Sequence, residues 1–181
     1  MKRFIIYIMM GIFGAAGAFG QVVRGEKMVG VNVGYASHNE SAVAAVSFRY
    51  AVSPWVRIAP EVGCVFRHHN EDALFVNLDA QIPFSFGTKN VDLYPLAGLA
   101  YNSWSRHHQL SDIRDDAGLE ATGAGELDND VTTRANRIGA NLGAGFDLRV
   151  TRTLNIGIEA KYTFTKSYTS LYATASISFV F

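Results

Sequence analysis

The chain has 181 residues, enough for one domain with a sizeable core. Its 16 Lys and Arg balance 16 Asp and Glu, which argues against the basic footprint of a nucleic-acid-binding protein. Four Pro stand against 17 Gly, 12 Phe and 8 Tyr, a composition that leans towards β-structure.

Residues 1–20 read as separate from the fold. "MKR" is a short basic start, and "FIIYIMMGIFGAAGAFG" is an apolar run that closes on small residues. That is the pattern of a secretory signal peptide, with Ala18 and Gly20 suited to the last positions before a cut at Gln21. The cut would remove Lys2 and Arg3, taking the 16 basic residues to 14 against 16 acidic ones. Cys64 is the single cysteine, so no internal disulfide is possible, and it reads as a small hydrophobe on a strand. After residue 20 nothing approaches the roughly eighteen apolar residues of a spanning helix.

The expected domain is 21–181, and alternation of apolar and polar residues runs through it in eight segments. The apolar sets begin with Val29/Val31/Val33/Tyr35, Ala44/Val46/Phe48/Tyr50 and Val56/Ile58/Pro60/Val62/Cys64/Phe66. Leu74/Val76/Leu78/Ala80/Ile82/Phe84 and Val91/Leu93/Pro95/Ala97/Leu99/Tyr101 follow. The last three are Ile138/Ala140/Leu142/Ala144/Phe146/Leu148, Leu154/Ile156/Ile158/Ala160/Tyr162/Phe164 and Leu171/Ala173/Ala175/Ile177/Phe179/Phe181. A strict period of two means strands with unlike faces. Segments of about 9–14 residues are long enough for tilted strands to cross a bilayer. The connections after the second, fourth and sixth segments are short. Those after the odd-numbered segments are polar, and one runs from Ser105 to Arg134. The pattern predicts an all-β fold, an eight-stranded antiparallel up-and-down transmembrane β-barrel, with both termini on the short-turn side and the long loop outside the cell.

A soluble barrel would place the oily face inward, so residue size decides the orientation. The polar faces carry Gly30, Asn32, Gly34, Gly139, Asn141, Gly143, Gly145, Thr174, Ser176 and Ser178, small residues suited to a narrow lumen. The apolar faces carry aromatics near strand ends, among them Tyr35, Tyr50, Trp55, Tyr162 and Phe179, as in the girdles of a membrane barrel. The oily face is therefore expected towards lipid and the polar face inward. Inward charges are expected to include Arg57, Glu61, Asp79, Arg137, Asp147, Arg149, Glu159 and Lys161. A three-residue "TRT" turn sets Gly145 opposite Glu159 and Gly143 opposite Lys161. The next turn is expected to set Ser176 beside Glu159 and Thr174 beside Lys161. Strand three faces strand seven across an eight-strand ring, which suggests the pairs Glu61–Lys161 and Arg57–Glu159. Such a network reads as a structural, ionic filling of the lumen.

With its signal peptide, eight alternating strands, "YPLAGLAY" in strand five and terminal "SISFVF", the chain resembles the small outer-membrane β-barrel domain family, which includes OmpA-type transmembrane domains and Ail/OmpX-type barrels. The resemblance implies a location in the outer membrane of a Gram-negative-type bacterium, in contact with its lipid. It also implies that Phe181, with Phe179 on the same face, is read by the barrel-assembly machinery. No peptidoglycan-binding domain is expected after the barrel.

Three features could carry chemistry. His38, His68, His69, His107 and His108 fall at the ends of odd-numbered strands, and His68, His69, His107 and His108 are the metal-ligand candidates; adjacent His pairs lack the spacing of a dedicated site, so no metal and no cofactor is expected. Ser103, Ser105 and His107 supply the residue types used by lipid A-modifying barrel enzymes, without a local signature of those families, so no catalysis is expected. The long loop holds Asp112, Asp115, Asp116, Glu120, Glu126, Asp128 and Asp130 against Arg106, Arg114 and Arg134. It reads as a solvated surface loop open to an extracellular protein or host partner. The expected function is a monomeric, non-enzymatic barrel with structural or surface-recognition, adhesin-like duties. The alternatives are a lipid A-modifying enzyme and a narrow ion-conducting channel.

Overall fold

In the computed structural model, residues 22–68, 70–85, 90–108, 131–166 and 169–181 are described, without the side chains of residues 107, 108, 131 and 132. The expected signal peptide, His69 and most of the loop at 105–134 lie outside these residues.

Period-two patterning produces eight long strands. They are β1 (Lys27–Ala36), β2 (Ser41–Ser53), β3 (Val56–His68), β4 (Glu71–Gln81), β5 (Val91–His108), β6 (Val131–Arg149), β7 (Leu154–Phe164) and β8 (Ser170–Val180). After a break at Ile82 and Pro83, Phe84–Ser85 rejoins β5 as a two-residue extension of β4. Pro83 has no backbone N–H to give a ladder, which accounts for the interruption. Each strand pairs antiparallel with its sequence neighbours, and β1 pairs with β8, so the sheet closes on itself. Closure leaves no edge along the body of the barrel, the one way a sheet satisfies its backbone without water.

The two faces separate as the alternation demands. On β1 Met28, Gly30 and Asn32 are buried while Val29, Val31 and Val33 are exposed, and the same contrast runs round the ring. Register aligns Val31, Val46, Val62, Val76, Tyr101 and Ile138 into one outward apolar row across six strands. Cys64 lies on this outward face, half-buried between Ala44 and Leu74.

The start of β1 and the end of β8 meet on one rim, here the terminal rim. The Phe181 amide donates to Lys27 O at 2.9 Å, and the Lys27 amide donates to Phe181 O at 3.2 Å. The opposite rim does not carry uniformly long loops. Residues 37–40 join β1 to β2, and His68 pairs with Glu71 across a reversal in which Asn70 takes a left-handed φ of 61°. The asymmetry comes from β5 and β6, which stay paired from Val91↔Leu148 to His108↔Val131 and form an arm beyond their neighbours.

Register bears on the expected neighbours of the inward charges. Gly143 is opposite Lys161 and Gly145 is opposite Glu159. On the other side Thr174 is beside Glu159 and Tyr172 beside Lys161, two residues away from the expected pairs of Ser176 with Glu159 and Thr174 with Lys161. The discrepancy arises in the β7–β8 connection, where the Thr169 hydroxyl accepts from the Thr165 amide and donates to the Thr165 carbonyl, tightening the turn.

Deleting Phe181 removes both backbone bonds to Lys27 at the seam. The deletion should lower the yield of folded barrel, read as the loss of the heat-modifiable band on gels; a normal band would count against this role of the terminal residue.

Candidate functional site

The inward side chains form three levels. Nearest the terminal rim, Asp147 on β6 meets two guanidinium groups: Arg49 Nη1 at 2.9 Å and Arg57 Nη2 at 3.0 Å. The buried Tyr94 ring lies 5.6 Å from the Arg49 guanidinium carbon and 5.0 Å from that of Arg57. Arg57 is 0% exposed and its Nε and Nη1 have no oxygen partner. The electron-rich ring face takes the place of one. Gly145 makes this possible, since a Cβ there would overlap the Tyr94 ring.

At mid-height the Lys161 ammonium, only 3% exposed, is surrounded by three carboxylates. Glu61 Oε1 is 2.6 Å away, Glu159 Oε1 3.3 Å and Asp79 Oδ2 3.4 Å. Amides and hydroxyls hold the carboxylates from outside. Asn32 and Asn77 donate to Glu61 at 2.6 and 3.0 Å, and Asn141 donates to Asp79 at 2.8 Å while accepting from Thr163. The Tyr94 hydroxyl donates to Glu159 at 3.0 Å and so joins the two charged levels. A side chain at Gly143 would press on the Lys161 backbone, which is why Lys161 lies opposite a glycine.

Towards the arm rim the lumen turns apolar. Ala36, Val43, Val65, Phe75, Trp104 and Tyr172 form a buried cluster. Phe75 on β4 and Tyr172 on β8 touch with ring centroids 5.7 Å apart. His38, in the β1–β2 connection, meets Trp104 on β5 edge-on at 4.9 Å. Strands four places apart are opposite in a ring of eight, so each contact spans the barrel diameter.

The expected pairs thus divide. Glu61 with Lys161 is present. Arg57 and Glu159 are not partners: Arg57 goes to Asp147, and Glu159 to Lys161, Tyr94 and Gln81. Closing a barrel staggers its strands, so residues level in a flat diagram differ in height. Arg149 stands apart at the terminal rim, paired with Glu26 at 2.7 Å. Arg137 is not in the network; it is exposed on the arm and donates to Asn136 O, because β6 there runs past the end of β7. The expected small-residue lumen omitted Tyr94, Phe75, Trp104 and Tyr172. Their inward parity was the available signal.

Among the described residues, no group of three His, Cys, Asp or Glu is arranged to hold a metal. His68 Nδ1 lies 2.7 Å from Asn39 O, and His38 Nε2 lies 3.8 Å from Glu71. His69 and the side chains of His107 and His108 lie outside the described residues. Ser103 and Ser105 alternate with inward Asn102 and Trp104, which puts them on the outward face.

No family model matches the chain, and no curated protein does. Solved structures do. The N-terminal β-barrel domain of Pseudomonas aeruginosa OprF aligns with a TM-score of 0.64 at 15% identity, over 87% of this chain and 98% of that one. Neisserial surface protein A aligns with a TM-score of 0.62 at 15% identity, over 86% and 96%. Ail of Yersinia pestis, the attachment invasion locus protein, gives 0.55 at 12% identity, over 88% and 100%. The fold is that of the eight-stranded outer-membrane barrels. At such identities the likeness is one of architecture, and the buried network is described from this chain alone.

Lys161→Met would leave three buried carboxylates without their shared cation. Breaking a buried pair costs about 3–5 kcal/mol, so urea unfolding in lipid vesicles should show a loss of that order, with partial recovery on adding Glu61→Gln. If Lys161 faced lipid, its removal would instead stabilise, since a cation at the bilayer midplane costs roughly 2–4 kcal/mol. A gain in stability would overturn the inward orientation.

Proposed function

We propose that this chain is a monomeric outer-membrane barrel with a closed lumen, serving structural or surface-recognition duties through the segment carried by its β5–β6 arm. The observation that carries the reading is the division of labour between body and arm. The lumen is crossed by an ionic cluster and by two aromatic contacts that span its diameter, and an eight-stranded ring has an interior just wide enough for its own side chains. A void of about 10 Å³ bordered by Arg49, Glu61, Gln81 and Lys161 has room for about one water. The body is thus built for rigidity, while β5 and β6 project past β7 and present the residues between them.

The arm rim is the extracellular one in this reading, and Ail, whose name marks it as an attachment protein, shares the fold. The reading is non-enzymatic. Ser103 and Ser105 face outward, across the wall from the buried carboxylates.

Reconstituted in planar bilayers, the protein should show no porin-like conductance; steady nanosiemens steps would overturn the closed lumen. Bacteria displaying the full chain should be retained on mammalian cell layers more than bacteria in which residues 109–130 are replaced by a short Gly-Ser turn. Equal retention would overturn the recognition role.

A further inference from the structure

The buried charges of the lumen do not balance. Arg49, Arg57 and Lys161 are three cations, whereas Glu61, Asp79, Asp147 and Glu159 are four carboxylates, and none of these side chains is more than 9% exposed. The terminal rim adds the Glu26–Arg149 pair and half-buried Asp92, and so no unpaired buried cation. Among the described residues, one negative charge is left over in the bore. A buried charge without a counter-charge is so costly that the group is neutralised by a proton instead.

The four carboxylates differ in what surrounds them. Asp147 receives two guanidinium groups. Glu61 receives the Lys161 ammonium and the amides of Asn32 and Asn77, and Asp79 receives Lys161 and the Asn141 amide. All of these are donors, as an ionised carboxylate requires. Glu159 has a different neighbour. Its Oε1 faces Lys161 at 3.3 Å, while its Oε2 accepts from the Tyr94 hydroxyl at 3.0 Å and lies 3.4 Å from the Gln81 amide nitrogen. Gln81 is 1% exposed, and its own Oε1 has no donor among the described residues. An amide keeps its shape when turned half a revolution about its last bond, which exchanges oxygen and nitrogen. In the turned form the Gln81 oxygen faces Glu159 Oε2, a small side-chain adjustment away from an O–H···O bond. A proton on Oε2 then has an acceptor, and Oε1 stays free to accept from Lys161. The void that Gln81 borders has room for about one water, but a water brings no charge.

We propose that folding traps one proton in the lumen, carried by Glu159 Oε2 and donated to Gln81 Oε1, so that the buried cluster is electrically neutral at pH 7. The proton comes from solvent as the barrel closes and forms an O–H bond to a carboxylate that is ionised in the unfolded chain. The charged or titratable groups that face Glu159 are Lys161 on its own strand, Arg49 on β2, Glu61 on β3, Asp79 on β4 and Tyr94 on β5. Asp147 on β6 lies beyond them, held by the arginines, and β8 presents the neutral Thr174. Lys161 and Arg49 are matched in number by Glu61 and Asp79, and Arg57 by Asp147, so Glu159 is the charge left over. The inference concerns the body of the barrel and does not depend on the recognition role of the arm.

Infrared spectra of the full chain, folded in lipid vesicles in D2O at pH 7, test the proposal. The C=O stretch of a neutral carboxylic acid stands apart from the bands of carboxylates and amides. The unaltered chain should show one such band, and labelling the glutamate carboxyls with carbon-13 should shift it. Glu159→Gln should abolish the band. Gln81→Leu should keep it at an altered frequency, because the acceptor of the O–H is gone. Urea unfolding from about pH 6 to about pH 8 gives a second reading. The native state holds one proton that the unfolded state has released, so stability falls as pH rises, by about a tenfold change in the unfolding constant per pH unit. Glu159→Gln should remove that component of the slope. Absence of the band, a band unmoved by the glutamate label, an unchanged frequency in Gln81→Leu, or equal slopes with and without Glu159→Gln would each overturn the proposal. So would a stability that differs between sodium and choline chloride at equal ionic strength, which would mean that a metal ion supplies the missing charge.

Discussion

Closure of the sheet is the constraint from which the rest of the structure follows. Within hydrocarbon a strand edge has no water to satisfy it, so the last strand must find the first, as β8 does β1. With eight strands that requirement fixes a bore so narrow that every inward side chain touches others. Charges placed there have to meet partners or be excluded. Lys161 with Glu61, Asp79 and Glu159, and Asp147 with Arg49 and Arg57, are the solution this chain adopts. The two groups are coupled through Tyr94, whose hydroxyl reaches Glu159 while its ring lies beside both arginines.

Much of this was legible in the sequence because one periodicity encodes it. Alternation in "LNIGIEAKYTF" assigned Glu159 and Lys161 to one face, and the preference for small residues on that face identified it as the lumen. The "TRT" turn has a single workable length, so Gly143 and Gly145 could be set against Lys161 and Glu159 from the sequence. Height was harder to read. The β7–β8 register depends on the bonds between Thr165 and Thr169, which no period reveals. The partner of Arg57 depends on the stagger of the whole ring, a property of closure and not of any one strand. Arg137 satisfied the inward parity, yet parity says nothing about where a neighbouring strand stops.

The aromatic residues teach a related lesson. Twelve Phe and eight Tyr in an alternating chain invite assignment to membrane girdles, and Tyr35, Tyr50, Tyr162 and Phe179 do face outward. Phe75, Trp104 and Tyr172 have the opposite parity and pack together inside. Composition could not separate the two groups, whereas position within the period could.

The contacts Phe75–Tyr172 and His38–Trp104 have a mechanical consequence. A thin-walled cylinder squeezed from the side yields first by becoming oval, which shortens one diameter and lengthens the one at right angles. Here two crossing diameters are each occupied by rings in contact, like spokes in a hoop. The two diameters lie about an eighth of a turn apart, and shortening either one drives its rings into each other. The end of the barrel that carries the arm therefore keeps a round cross-section under the lateral pressure of a bilayer, and β5 and β6 project from a rigid collar.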